Sequence, residues 1–248
     1  TPTIATFILL AKYCPPLVKH VIVCLMKWQE GVYDFHTHSS LSDGDLSPLE
    51  LIRRALVNNY KAIAITDHMG PADLASLLPR LIEACALARA HWDIMAIPGV
   101  ELTHLPPATI AEAAHRAKEL GAWIVIVHGE TITEPVESGT NLAATRCPNV
   151  DILAHPGLLS AEEASLASAN EIFLELSARQ GHCLTNGHVA RLARNSGAKL
   201  LLSSDAHQAQ NLLTPTLAGQ IAQGAGIAPL DIAQLWGNAQ LVLRRLPT

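Results

Sequence analysis

The sequence predicts an α/β protein in which seven strand–helix units close into a barrel, and three observations carry that expectation. From Val32 onward, short apolar runs alternate with amphipathic stretches of helical length, the pattern of a parallel sheet with helices outside it. Hydrophobic residues make up 49% of the 248 and aromatics only 4%, so the core must be built from Ala, Leu, Ile and Val, as buried parallel strands and their covering helices are. The first strand–helix turn lacks G-x-G-x-x-G, which removes support for a dinucleotide-binding open sheet. A barrel of this length as a single domain is ordinary.

Taken in order, the chain opens on an apolar stretch, residues 3–26, interrupted by Lys12, Pro15, Pro16, Lys19 and His20. A transmembrane helix needs about 20 consecutive apolar residues, and no basic start or small-residue cleavage site marks a signal peptide. Residues 1–31 therefore read as an apolar N-terminal extension, two short segments (3–13 and 17–28) joined at the Pro-Pro pair, and 32–248 as one barrel domain. The strand candidates are Val32–His38, Ala62–His68, Ile94–Glu101, Trp123–His128, Asp151–His155, Glu171–Ser177 and Lys199–His207. Ser47-Pro48-Leu49-Glu50 opens the first helix, with Ser as N-cap, Pro at the first helical position and Glu at the third. Further helices are expected over 71–90, 108–120, 160–169, 185–196 and 229–236, with Gly121 and Gly197 as C-caps. Residues 131–147 read as a loop with a short helix.

Composition limits the function. A net charge of −5 speaks against a basic nucleic-acid face, so no stable nucleic-acid partner is expected. An anionic substrate stays compatible, because bound metal ions can reverse the local field. Five widely spaced cysteines without a C-x-x-C fit reduced thiols in a cytoplasmic protein better than a disulfide framework. An oligomer is compatible with the sequence.

The residues that follow the apolar runs carry the chemistry. Successive strands end in His36-Thr37-His38, Asp67-His68, Glu101, His128 and His155, and the last in Asp205-Ala206-His207. Parallel barrels build active sites at the C-terminal ends of their strands, and in His-x-His on a strand both side chains point the same way and can chelate one ion. A lone histidine at a strand end is ordinarily a polar loop residue, but here six strands repeat the feature. Histidines and carboxylates packed together without a counter-charge would be costly, and metal ions supply that charge. His20, His91, His115 and His188 read as surface or core-edge residues, and His104 and His182, just past strand ends, are open.

D-F-H-T-H-S-S-L-S-D-G-D (34–45), I-T-D-H (65–68), G-V-E (99–101), V-H-G-E (127–130), A-H-P-G (154–157) and S-D-A-H (204–207) together resemble the PHP (polymerase and histidinol phosphatase) superfamily over about residues 32–210, in particular stand-alone members related to histidinol-phosphate phosphatase. The resemblance implies a distorted (β/α)7 TIM-like barrel and a metal-dependent phosphoesterase. It implies two or three divalent metal ions on His36, His38, Asp43, His68, Glu101, His128, His155, Asp205 and His207. The first His pair, Glu101 and Asp205 would hold one ion; Glu101 would bridge to a second, completed by His128 and His155; Asp43, His68 and His207 would hold the third. Asp43 stands where some members carry His, and otherwise reads as a turn residue before Gly44. Asp67 is a candidate to orient a ligand histidine.

A histidine-rich donor set favours Zn, Mn or Fe over Mg or Ca. The implied reaction is hydrolysis of a small phosphomonoester by metal-activated hydroxide attacking phosphorus. Arg179, just after the strand that brings no ligand, is a candidate phosphate clamp or else a solvated loop arginine. His182 is a candidate to protonate the leaving group. The rival readings are an amidohydrolase-like metal hydrolase, whose bridging lysine the strand ends do not offer, a non-catalytic metal-binding module, and an exonuclease on nucleic acid, which the negative net charge and the lack of a basic, aromatic-interleaved groove weaken. Specificity is expected in loops 39–47, 102–108, 129–147 and 178–188.

Overall fold

A computed structural model describes residues 31–229 and 231–247; the two apolar segments expected between residues 3 and 28 lie outside the described residues. The strands are β1 (Val32–Asp34), β2 (Tyr60–Ile65), β3 (His68–Met69), β4 (Met95–Leu102), β5 (Ile124–His128), β6 (Ile152–Ala154), β7 (Phe173–Ser177) and β8 (Leu200–Ser203). All pair in parallel in the order β1-β2-β4-β5-β6-β7-β8, and β3 resumes the line of β2 by pairing with β4. The seven staves so formed almost close on themselves. The seam is made by a bridge between Thr37 and Ala206, with His38 N donating to Ala206 O (2.8 Å) and Asp205 N to His36 O (2.9 Å). The expected barrel is therefore present, and the two segments that join its first and last staves are the two that carry H-x-H and D-x-H.

Alternation along the strands decides what faces the lumen. Ala62 and Ala64, Ile97, Ile124 and Ile126, Phe173 and Leu201 pack together inside the barrel, while Ile63, Ile65, Val100, Val125, Val127, Leu174 and Leu202 pack outward against the helices. Continuing the inward parity brings His68, Glu101, His128, Glu175 and Asp205 to the lumen's upper end. His155 lies one residue off the parity of Ile152 and Ala154, and its φ of 25° marks the departure from the strand. Two strands, β6 and β8, stop short of their expected ends because at His155 and Asp205 (φ 52°) the backbone turns left-handed, a region incompatible with a continuing strand; β1 ends at Asp34, so His36 and His38 lie just beyond it.

The helices are α1 (Pro48–Val57), α2 (Leu74–His91), α3 (Ile110–Glu119), α4 (Thr140–Thr145), α5 (Ala161–Ala169), α6 (Asn186–Ser196), α7 (Pro215–Gly224) and α8 (Ile232–Arg245). Ser47 caps α1 by accepting from Glu50 N (3.4 Å), and Ser160 and Glu163 form a reciprocal capping box on α5. Gly197 closes α6 in a left-handed conformation, as expected. Two findings correct the sequence reading. Helix α7 went unforeseen, although Thr214 accepts from Leu217 N and Pro215 opens the helix. Helix α8, expected over 229–236, runs to Arg245, because Ile232, Leu235, Ala239 and Val242 form one continuous buried stripe that carries the helix through Gly237. Among the described residues no helix is long and apolar enough to cross a membrane.

Candidate metal centre

The upper end of the barrel gathers all nine candidate ligands around the Glu101 carboxylate, which is fully buried. Its Oε2 lies 3.3 Å from His36 Nε2, 3.6 Å from His38 Nε2 and 2.8 Å from His68 Nδ1, and its Oε1 lies 3.4 Å from His155 Nε2. The His68 contact is close but not a hydrogen bond, since Nδ1 is turned to Thr103 Oγ1 (2.6 Å). Asp205 Oδ1 approaches His38 Nε2 at 3.3 Å and His36 Nε2 at 3.8 Å. Asp43 reaches His207 Nε2 (3.1 Å) and His68 Nε2 (3.6 Å). Donor atoms of His38, Asp43, His68 and His207 converge within 4.8 Å of one another, as do those of His36, His38 and Glu101. His128 and His155 converge with His182, which the resemblance did not include.

These side chains fit a cation. His36 Nε2, both ring nitrogens of His38 and His155, both oxygens of Glu101 and His207 Nε2 are buried without a hydrogen-bond partner. One such orphaned group costs about 1–3 kcal/mol; this many at one point is the signature of donors arranged for positive charge. The proton affinities agree. Burial holds the His38 imidazole down at about 4 and also lowers His155, keeping both in the neutral form a metal needs. Burial opposes ionisation of Glu101 and Asp205, but the surrounding imidazoles, His36 foremost, hold both carboxyls well below the usual range.

Supporting contacts come from residues that were missed or assigned otherwise. The strand expected to bring no ligand, β7, delivers Glu175, fully buried. It accepts from His36 Nδ1 at 2.8 Å and from His155 N at 3.0 Å, which aims His36 Nε2 at Glu101. Burial alone would lower His36, but Glu175, Glu101 and Asp205 together hold it well above its ordinary value. Sequence alternation alone could have found Glu175, two residues after the inward Phe173. Asp67 does not orient a histidine: it accepts from Ser39 N and Oγ (both 2.7 Å) and from Ser42 Oγ (2.6 Å), anchoring the turn that presents Asp43. Gly157 of A-H-P-G has φ 61°, and a Cβ there would stand 1.8 Å from Glu130 O, so the loops after β5 and β6 meet only because it is glycine.

Arg179 and His182 both line the cavity over the centre, about 330 Å³ in volume. Arg179 donates to Asp205 O (3.3 Å) and its guanidinium touches His207 Nδ1, so it is tied into the site rather than solvated. His182 is bonded on both sides, Nδ1 to Asp205 Oδ2 (2.9 Å) and Nε2 to Glu134 Oε1 (3.0 Å), and against the effect of burial these carboxylates raise its affinity for a proton. Glu134, unforeseen, is held at about 2, first by its bond to His128, and so is anionic. His104 lies at the cavity's edge, and His188, half-buried and bonded to Leu159 O (2.7 Å), lies at the core's edge as expected.

The model of the PHP domain family matches residues 34–214. An uncharacterised protein of Methanocaldococcus jannaschii is 47% identical over 201 residues, covering 81% of this chain and 92% of the relative. A protein named probable phosphatase from Shewanella halifaxensis is 29% identical over 228 residues, covering 77% of this chain and 84% of its own. A 5′-3′ exoribonuclease of Salmonella typhimurium is 31% identical over 172 residues; these cover 67% of this chain but 49% of that protein.

Proposed function

The chain belongs to the PHP domain family, and from that premise we propose that it is a metal-dependent phosphoesterase acting on a small phosphomonoester, with the nine gathered residues as ligands of two or three Zn, Mn or Fe ions. The observation that carries the reading is the set of orphaned donors around Glu101 opening into a cavity that an arginine lines. When bound, the ions supply an activated hydroxide and neutralise charge on phosphoryl and leaving oxygens. The protein's own part is positioning. Glu175 keeps His36 in one tautomer, Asp67 holds the Asp43 turn, and Arg179 offers its guanidinium to a phosphate from beside His207. His182, bonded to Asp205 and Glu134, is placed to return a proton to the leaving oxygen. Among the described residues no lysine lines the cavity, which weakens the amidohydrolase reading.

The exoribonuclease relative favours a second reading, in which the phosphate is the terminus of a short oligonucleotide. One assay series separates them. Metal-stripped protein is supplied with Mn²⁺ or Zn²⁺ and offered a generic phosphomonoester or a short RNA. Activity on the phosphomonoester that returns with metal, is absent in His36→Ala, and shows a raised KM in Arg179→Ala is the expected result. Turnover of the RNA alone would replace the first reading with the second, and metal uptake without turnover of either would sink both.

A further inference from the structure

Glu134 is outside the expected ligand set, yet its carboxylate stands at the mouth of the centre among three imidazoles. Its Oε2 is 3.1 Å from His128 Nε2 and 3.5 Å from His104 Nε2, and its Oε1 is 3.0 Å from His182 Nε2. His128 turns Nδ1 to the Gly129 carbonyl (3.2 Å), so Nε2 is the atom it has left for a cation, and that is the atom Glu134 faces. His104 holds a left-handed backbone, φ 52°, at a cost that non-glycine residues seldom bear. In that conformation donor atoms of His104, His128 and Glu134 come within 4.8 Å of one another.

The loop carrying Glu134 is tied down at several points. Glu130 Oε1 accepts from the amides of Gly139 (3.0 Å) and Asn141 (2.9 Å), and Asn141 Oδ1 accepts from Glu130 N (3.0 Å). Thr133 packs on Gly181, where a Cβ would come within 3.3 Å of its methyl group. Glu134 and His182 thus face each other across a join between two fixed loops, while the Glu134 side chain keeps about a third of its surface exposed. Its carboxylate therefore reaches solvent from its place at the mouth.

We propose that Glu134 is an exchangeable tenth ligand: with His128, and with His104 beside it, it holds one cation of the centre and yields its place to a phosphate oxygen of the substrate. The metal half stands on the geometry alone; the exchange half rests on the phosphoesterase reading. A carboxylate and a phosphoryl oxygen are both anionic and compete for one position on a cation. Glu134 therefore favours retention of the ion and opposes phosphate. A merely structural loop residue would do neither.

The test uses the full chain loaded with Mn²⁺ or Zn²⁺, comparing wild type, Glu134→Gln and His104→Ala. Ion retention is measured by chelator competition with metal analysis, and inorganic phosphate binding by calorimetry at saturating metal. Glu134→Gln is expected to hold one ion about tenfold more weakly and to bind phosphate about fivefold more tightly, the effect of removing one charge some 4 Å away. His104→Ala is expected to weaken the same ion without tightening phosphate, because it removes a donor but no negative charge. Unchanged ion retention in Glu134→Gln overturns the proposal, and phosphate affinity that stays level or falls overturns the exchange. Wild-type protein that retains metal yet neither binds phosphate nor hydrolyses a phosphomonoester would remove the phosphoesterase reading, and the metal arm would still decide whether Glu134 is a ligand.

Discussion

Glu175 shows how one buried carboxylate sets the behaviour of a whole centre. Its bond to His36 Nδ1, with Glu101 and Asp205 nearby, raises the affinity of His36 for a proton. Without a metal the centre therefore holds that proton more tightly than a free imidazole does, and a cation binding at Nε2 has to displace it. The sign follows: metal affinity rises as pH rises through the neutral range, with proton release on binding. Calorimetry in buffers of different ionisation enthalpy measures that release. Glu175→Gln is expected to release less and to bind metal roughly 10- to 100-fold more weakly; equal proton release in variant and wild type would contradict the assignment. Glu175 was legible in E-I-F-L-E-L-S, since a glutamate at the inward parity of a buried strand needs a partner. It was overlooked because it sits inside the run, not at its end.

Among the elements, the strands were the most legible, because most apolar runs ended in a residue that lumen parity or a left-handed turn brings to the same face. Helix α7 was missed although Thr214 and Pro215 announce it, and α8 outran its expected end because a buried stripe overrode Gly237. Loop side chains such as Glu134 were beyond reach: its position depends on Thr133 meeting Gly181, a contact between segments far apart in the chain. Two glycine substitutions separate structural from incidental glycines. Gly157→Ala is expected to cost more than about 1 kcal/mol, from its left-handed backbone and its closeness to Glu130 O. Gly219→Ala, in mid-α7 with nothing within 4 Å, is expected to stabilise by roughly 0.5–1 kcal/mol. Urea unfolding midpoints that move the same way for both would refute this reading of the loops.

For the molecule as a whole, stability and metal loading are expected to be linked, because the proposed ligands stand on both sides of the seam. At about a hundredfold excess of metal over Kd, binding to the folded state alone adds roughly 2.7 kcal/mol, on the order of 5–10 °C in Tm for a chain of this size. A melting temperature indifferent to a chelator would separate the ions from the barrel's closure. The fold class was readable because seven units repeat. That the seam and the proposed metal site coincide was not, since closure is a property of pairing between the first and last strands of the barrel.

That coincidence bears on how the protein is made. On the proposed assignment the ligands run from His36 to His207, so a ribosome must deliver all seven staves before the last two donors exist. The nascent chain exposes an incomplete cage of histidines for most of its synthesis, and maturation of the centre is confined to the interval after the final stave emerges. Loading is then an act of completion: the cell's metal supply meets a finished barrel or an unclosed one, with no half-built site able to hold all its ions.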